Sequence, residues 1–180
     1  MFFRGIAGLV AGLCAGVVSG ILYLVMTIPD VDGISVPLLT VVARAVGFND
    51  PAVGWSFHLF NATIAGVIFG FLFGRIAVTM PRSIMLGLAV GLVWWLLSAV
   101  FVLPTLVQQP AFYSAYRLST LHPVMIGTLI GSLIYGVLLG AVYLFVYGPV
   151  YAENLREESE ALEEQRISER ISSDRHRTAA

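Results

Sequence analysis

The chain has 180 residues, 58% of them hydrophobic and only 12% charged, with a mean hydropathy of +0.87. That composition excludes an ordinary soluble domain and lies in the membrane range. The net charge of -1 balances two unlike regions, since Asp30, Asp32 and Asp50 are the only acids before residue 150 and eight of the eleven acids follow it. All ten basic residues are arginine, so no lysine can form a Schiff base, and a single cysteine, Cys14, leaves neither an intrachain disulfide nor a paired-cysteine metal site.

Arg4 precedes the first apolar run in the manner of a signal peptide. Residues 5–28, however, make about 36 Å of helix at 1.5 Å per residue, enough to cross a hydrocarbon core of roughly 30 Å. Signal-peptide apolar regions are much shorter, so a retained span is expected, with Cys14 as a small buried packing residue. The connection over residues 29–56 contains an amphipathic stretch at 35–47 (Val36, Leu38, Leu39, Val41, Val42, Val46) that is too short to span. A helix lying at the membrane interface is expected there in preference to a re-entrant loop.

Residues 57–78 and 83–107 form the second and third spans, separated by Thr79-Met80-Pro81. This turn is short enough to force an antiparallel return, and Pro81 keeps the two helices from fusing. Trp94 and Trp95 lie within the third span, about 100° apart around a helix, so that one fills the bundle while the other faces lipid or a partner. Pro104 marks the kink or exit of that span. A second long connection, 108–122, leads to the fourth span at 123–150, where Tyr135, Tyr143 and Tyr147 make a partial stripe explained by packing and interfacial anchoring. All four spans must be helical, because the bilayer core offers no water to backbone polar groups. Residues 151–180 form a charged tail, helical to about Ile171 through pairs such as Arg156 with Glu160 and Glu163 with Arg166, then disordered from Ser172.

Residues 4–74 and 82–140 follow one plan: arginine, small-residue-rich helix, proline, polar segment with a histidine, and a second helix with small residues four apart. The chain therefore reads as an all-α, four-helix membrane bundle built from two repeated helical hairpins, plus a charged C-terminal cytoplasmic helix. Gly8, Gly12, Gly16 and Gly20 recur on the first span, and Ala62, Gly66, Gly70 and Gly74 on the second. Gly87 and Gly91 follow on the third, then Thr128, Ser132, Gly136 and Gly140 on the fourth. Small residues let helix backbones approach where lipid supplies no hydrophobic drive to associate. Packing within one bundle, a self-association face and the lining of a pathway all remain open as uses for these stripes. Arg4, Arg75, Arg82 and the arginines of the tail outnumber Arg44 and Arg117 on the opposite side, which places both termini in the cytoplasm of a multi-pass cell-membrane protein.

Polar groups near the outer helix ends, His58, Asn61 and His122, are the candidates for chemistry. His58 and His122, with Asp30, Asp32 or Asp50 from the outer connection, have the donor types to hold a transition metal or a haem iron, or to titrate as a pair near neutrality. The competing reading makes each histidine a helix-end residue bonded to a loop carbonyl. Aligning Gly70 with Gly136 puts Val124, and not His122, opposite His58, so the histidines repeat only loosely. Apart from Arg75, three residues from the end of the second run, no acid, lysine or arginine falls inside the four runs, where pumps, ion-coupled transporters and voltage sensors carry them. Hydrolase, zincin and phosphate-loop motifs are absent, so no enzymatic activity and no resident cofactor are expected.

Gly54-Trp55-Ser56-Phe57-His58 with Gly66, Gly70 and Gly74, then Gly91-Leu92-Val93-Trp94-Trp95, Leu103-Pro104, Ile134-Tyr135-Gly136, Leu139-Gly140 and Tyr143 occur in an order that resembles a family of small prokaryotic four-helix membrane proteins of unknown function. The resemblance covers most of residues 1–150 and implies a prokaryotic cytoplasmic membrane. From the residues, the leading expectation is a structural or accessory component that packs against lipid, a second copy of itself or a larger membrane complex, with no nucleic acid partner. A redox or metal-binding protein and a small-molecule permease or channel are the alternatives.

Overall fold

A computed structural model describes residues 2–29, 34–102 and 122–178. Its helices, in chain order, are α1 (Phe2–Val25), α2 (Leu38–Arg44), α3 (Pro51–Phe73), α4 (Met80–Trp95) and α5 (His122–Thr178), with a π-helical segment, Leu96–Val102, continuing α4. Two short strands, β1 (Thr27–Pro29) and β2 (Ser35–Pro37), pair antiparallel between α1 and α2. Four helical stretches are long and apolar enough to cross a membrane: Phe2–Val25, Pro51–Phe73, Met80–Ser98 and, within α5, part of Met125–Glu169. Large apolar side chains cover their outer faces, among them Phe60, Leu72, Met85 and Phe145, as expected where the surrounding medium is lipid.

The third span differs from the reading of one α-helix over 83–107. α4 alone is 16 residues, about 24 Å, and it continues as the π segment to Val102; residues 103–107 and Pro104 lie outside the described residues. The second span begins earlier than residue 57, because Asp50 caps α3 and Pro51 occupies its first turn. The Asp50 carboxylate accepts a hydrogen bond from the Ala52 amide at 2.8 Å.

The spanning helices lie in the order α3, α1, α5, α4. α1 packs along both α3 and α5, α5 also packs along α4, and α3 scarcely touches α4 although only residues 74–79 separate them in the chain. Backbone proximity explains the two outer pairs. A side-chain carbon at Gly8 would collide with the Gly66 carbonyl, and one at Gly66 with the Gly8 carbonyl. Between α4 and α5, Gly87 abuts the Gly136 carbonyl, Gly91 the Ser132 carbonyl, and Gly140 the Ser83 carbonyl. At the centre, Ala7, Ala11, Ala15, Ala62 and Ala65 surround Phe69, Tyr135, Leu139, Tyr143 and Tyr147. The tyrosine stripe is therefore core, with Tyr143 fully buried and its ring edge-on to Phe69 at 5.2 Å. The Tyr143 hydroxyl has no partner among the described residues.

One feature corrects the sequence reading. Cys14 is exposed on α1 and takes no part in the buried packing. The 35–47 stretch contains β2 and the short helix α2, of which Leu38, Leu39, Val41 and Ala43 are buried by protein. α2 seats on α3, where Gly54 receives the Leu39 carbonyl, and its Leu38 and Val41 close a small core with Ile28. Gly47, at φ 82°, makes the left-handed exit that follows α2.

α5 continues without interruption past Pro149 to Thr178, beyond Ile171 where the charge pattern predicts its end. Residues 152–169 of it are exposed throughout.

Candidate functional site

Polar side chains from four helices converge in the half of the bundle nearest α2. They surround a cavity of about 100 Å³ lined by Ser19 and Tyr23 of α1, His58 and Asn61 of α3, and Thr128, Ser132 and Tyr135 of α5. Trp94 and Ser98 complete the wall from α4 and the π segment, and α2 covers it with Leu38 and Val42.

Each group reaches the cavity for a local reason. His58 is one turn from Ala62 on α3, on the face that meets α1, and its Nε2 lies 3.0 Å from the Gly16 carbonyl. A carbonyl can only accept, so Nε2 carries the proton. Ser19 stands beside it, with its hydroxyl 3.4 Å from the same nitrogen and donating to the Gly16 carbonyl at 3.3 Å. Gly20 leaves room for the imidazole and for Trp55. Tyr23 crosses to α5: its ring sits edge-on to His58 at 5.3 Å, Gly131 admits it, and its hydroxyl donates to the Thr128 carbonyl at 3.2 Å. From α5, Tyr135 donates to the Ala62 carbonyl at 2.7 Å. Trp95 ties α4 to α5 through its indole N–H, 3.2 Å from the Met125 carbonyl and 3.3 Å from the Thr128 hydroxyl.

These bonds stitch each helix to its neighbour, and they account for the two tryptophans. Trp95 is turned into the bundle, while Trp94 is 43% exposed. Asn61 is different. Its amide donates to the Phe57 carbonyl at 2.8 Å, and its Oδ1 has no partner among the described residues.

Beside the cavity, where α3 and α4 fail to pack, lies a cleft of about 370 Å³. Ile64, Ile68, Phe69, Leu72 and Phe73 form one wall and Ala89, Val90, Val93 and Trp94 the other, with the Asn61 amide among the described lining residues.

Of the expected metal ligands, His58 and Asp50 have described side chains. Asp30 and Asp32 lie outside the described residues, and of His122 only the backbone, as the first residue of α5, is described. Asp50 is engaged as the cap of α3, and His58 uses Nε2 within the protein. Among the described residues no three His, Cys, Asp or Glu side chains converge. What sequence reading missed is Ser19, Tyr23 and Ser98 as members of a polar cluster. Ser19 and Tyr23 are spaced i, i+4 and extend the glycine face of α1, which was the available signal. Comparison with family models, characterised proteins and solved structures finds no match, so geometry alone carries the functional argument.

Proposed function

We propose that this chain is a non-enzymatic, multi-pass membrane protein, a structural or accessory component of a membrane assembly that meets its partner through the exposed extension of α5. The observation that carries this reading is the continuity of α5. One helix belongs to the packed bundle through Tyr135, Leu139 and Tyr143 and then presents residues 152–169 exposed, with Leu155, Leu162 and Ile167 set among its charges. A rigid connection of this kind transmits position between bilayer and partner.

The contact pattern supports a holding role over a conducting one. Backbone contacts at Gly8, Gly66, Gly87 and Gly136 leave no space along the two outer helix pairs for an aqueous path. The pairing of α1 with α3 and α4 with α5 supports two repeats of one hairpin. The arginines at the start of α1, after α3 and in the first turn of α4 support cytoplasmic termini for the proposed orientation. Hydrogen bonding within the cluster supports a structural role for His58 over metal ligation.

Crosslinking in native membranes, followed by mild extraction and identification of companions, tests the proposal. The full chain is expected to capture a partner or a second copy, and a chain ending at residue 150 is expected to lose it. A particle that stays strictly monomeric and companion-free would overturn the reading.

A further inference from the structure

The polar cavity and the apolar cleft share Asn61, Ala65 and Trp94, so the two spaces adjoin within the membrane. We propose that together they bind an uncharged single-chain amphiphile, its hydroxyl-bearing head in the cavity beside Asn61 and its hydrocarbon tail in the cleft between α3 and α4. This inference stands on the cavity and cleft and does not depend on the partner proposed for α5.

The cleft selects the tail. It follows α3 from Asn61 to Phe73, about 18 Å of helix at 1.5 Å per residue, which matches the reach of one long hydrocarbon chain. Its walls are aliphatic and aromatic, and they part toward lipid because α3 is held by α1 and α4 by α5. A membrane-resident molecule thus has lateral entry without crossing water.

The cavity selects the head. Its volume of about 100 Å³ holds several waters or one small polar group. Among the described residues no arginine, aspartate or glutamate lines the cavity or the cleft, so a charged head would be desolvated without a counter-charge from them. A hydroxyl matches what is offered: it donates to the unpartnered Asn61 Oδ1 and accepts from the amide hydrogen that Asn61 does not give to Phe57. Burying such an amide in a membrane without partners is costly, and the head supplies them. Trp94 forms the wall at the junction. The π segment begins two residues later, and Ser98 there donates to the Trp94 carbonyl at 2.7 Å. π-helical segments frequently mark functional sites.

The test uses the full chain in phosphatidylcholine vesicles with a long-chain fatty alcohol carrying a photoreactive diazirine in its tail. Saturable labelling confined to peptides of α3 and α4, competed by the unlabelled alcohol, is the expected result. Asn61→Leu should weaken apparent binding about tenfold, the scale of one lost hydrogen bond. Ala89→Phe, at an exposed position of the cleft wall, should abolish saturable labelling without lowering the unfolding temperature. Phe145→Ala, on a lipid-facing surface that is 80% exposed, should leave labelling unchanged. The proposal is overturned if labelling does not saturate or is equally strong around Phe145. It also fails if both cleft variants label like the parent, or if sulfate- or trimethylammonium-headed chains of equal length compete as well as the alcohol.

Discussion

Tyr135 donates its hydroxyl to the Ala62 carbonyl at 2.7 Å, joining α5 to α3 across 73 residues of sequence. Ala62 is also the residue whose methyl group meets the Gly16 face of α1. One bond therefore fixes the place where three helices meet. Tyr135→Phe should lower stability by about 1 kcal/mol, the scale of an interhelical hydrogen bond in a membrane protein. Tyr135→Ala should cost several-fold more, because it also opens a cavity in the buried core. Reversible unfolding in mixed micelles separates the two, and equal losses would refute the assignment to the hydroxyl.

Gly66 and Gly148 test whether small residues act by close approach. A methyl group at Gly66 meets the Gly8 carbonyl and the Gly12 backbone, whereas at Gly148 the nearest atom is a Leu144 methyl carbon at 3.8 Å. Gly66→Ala is expected to destabilise by about 1–3 kcal/mol through overpacking. Gly148→Ala should be neutral or stabilising by up to about 1 kcal/mol through helix propensity. Parallel unfolding curves of the two variants give the comparison.

The tryptophan pair makes an optical prediction. In variants retaining one tryptophan, with phenylalanine at the other two positions, brominated lipid should quench Trp94 strongly and Trp95 weakly. The former is 43% exposed, and the latter is held by its N–H against α5. Equal quenching would contradict the orientation of α4.

Asp50 accepts the amide hydrogen of Ala52. Asp50→Ala should cost about 1 kcal/mol at this helix start and Asp50→Asn much less. Amide hydrogen exchange at Ala52 to Gly54 reads the effect. Faster exchange in the alanine variant alone is the expected pattern.

Sequence made the helices legible and their partners only partly so. Apolar length announces four spans, and spacing by four shows which faces are small. A glycine face, though, is compatible with any partner that is equally flat. That α3 leans on α1 and leaves α4 could not be read from the tight turn at residues 74–79, because a short connection fixes direction and leaves packing free. The two-strand ribbon was hidden by its brevity: Pro29 and Pro37 sit at strand ends, where proline is tolerated, and three residues show no alternation. Cys14 misled because small residues in an apolar run are usually packed, yet its angle around α1 faces outward. The cluster was half visible. Asn61 and His58 stand out as polar residues, whereas Ser19 and Tyr23 are unremarkable until α1 brings them beside the imidazole.

The divergence of α3 from α4 bears on how this polypeptide can be assembled. Its covalent midpoint carries almost no load, since each flanking helix finds its main neighbour within its own half of the chain. A backbone cut between Val78 and Thr79 leaves two fragments, each retaining a glycine-packed pair. Such fragments, expressed together, have the surfaces on α1 and α5 needed to find one another in the bilayer, so that a tandem gene and two separate genes would encode the same object.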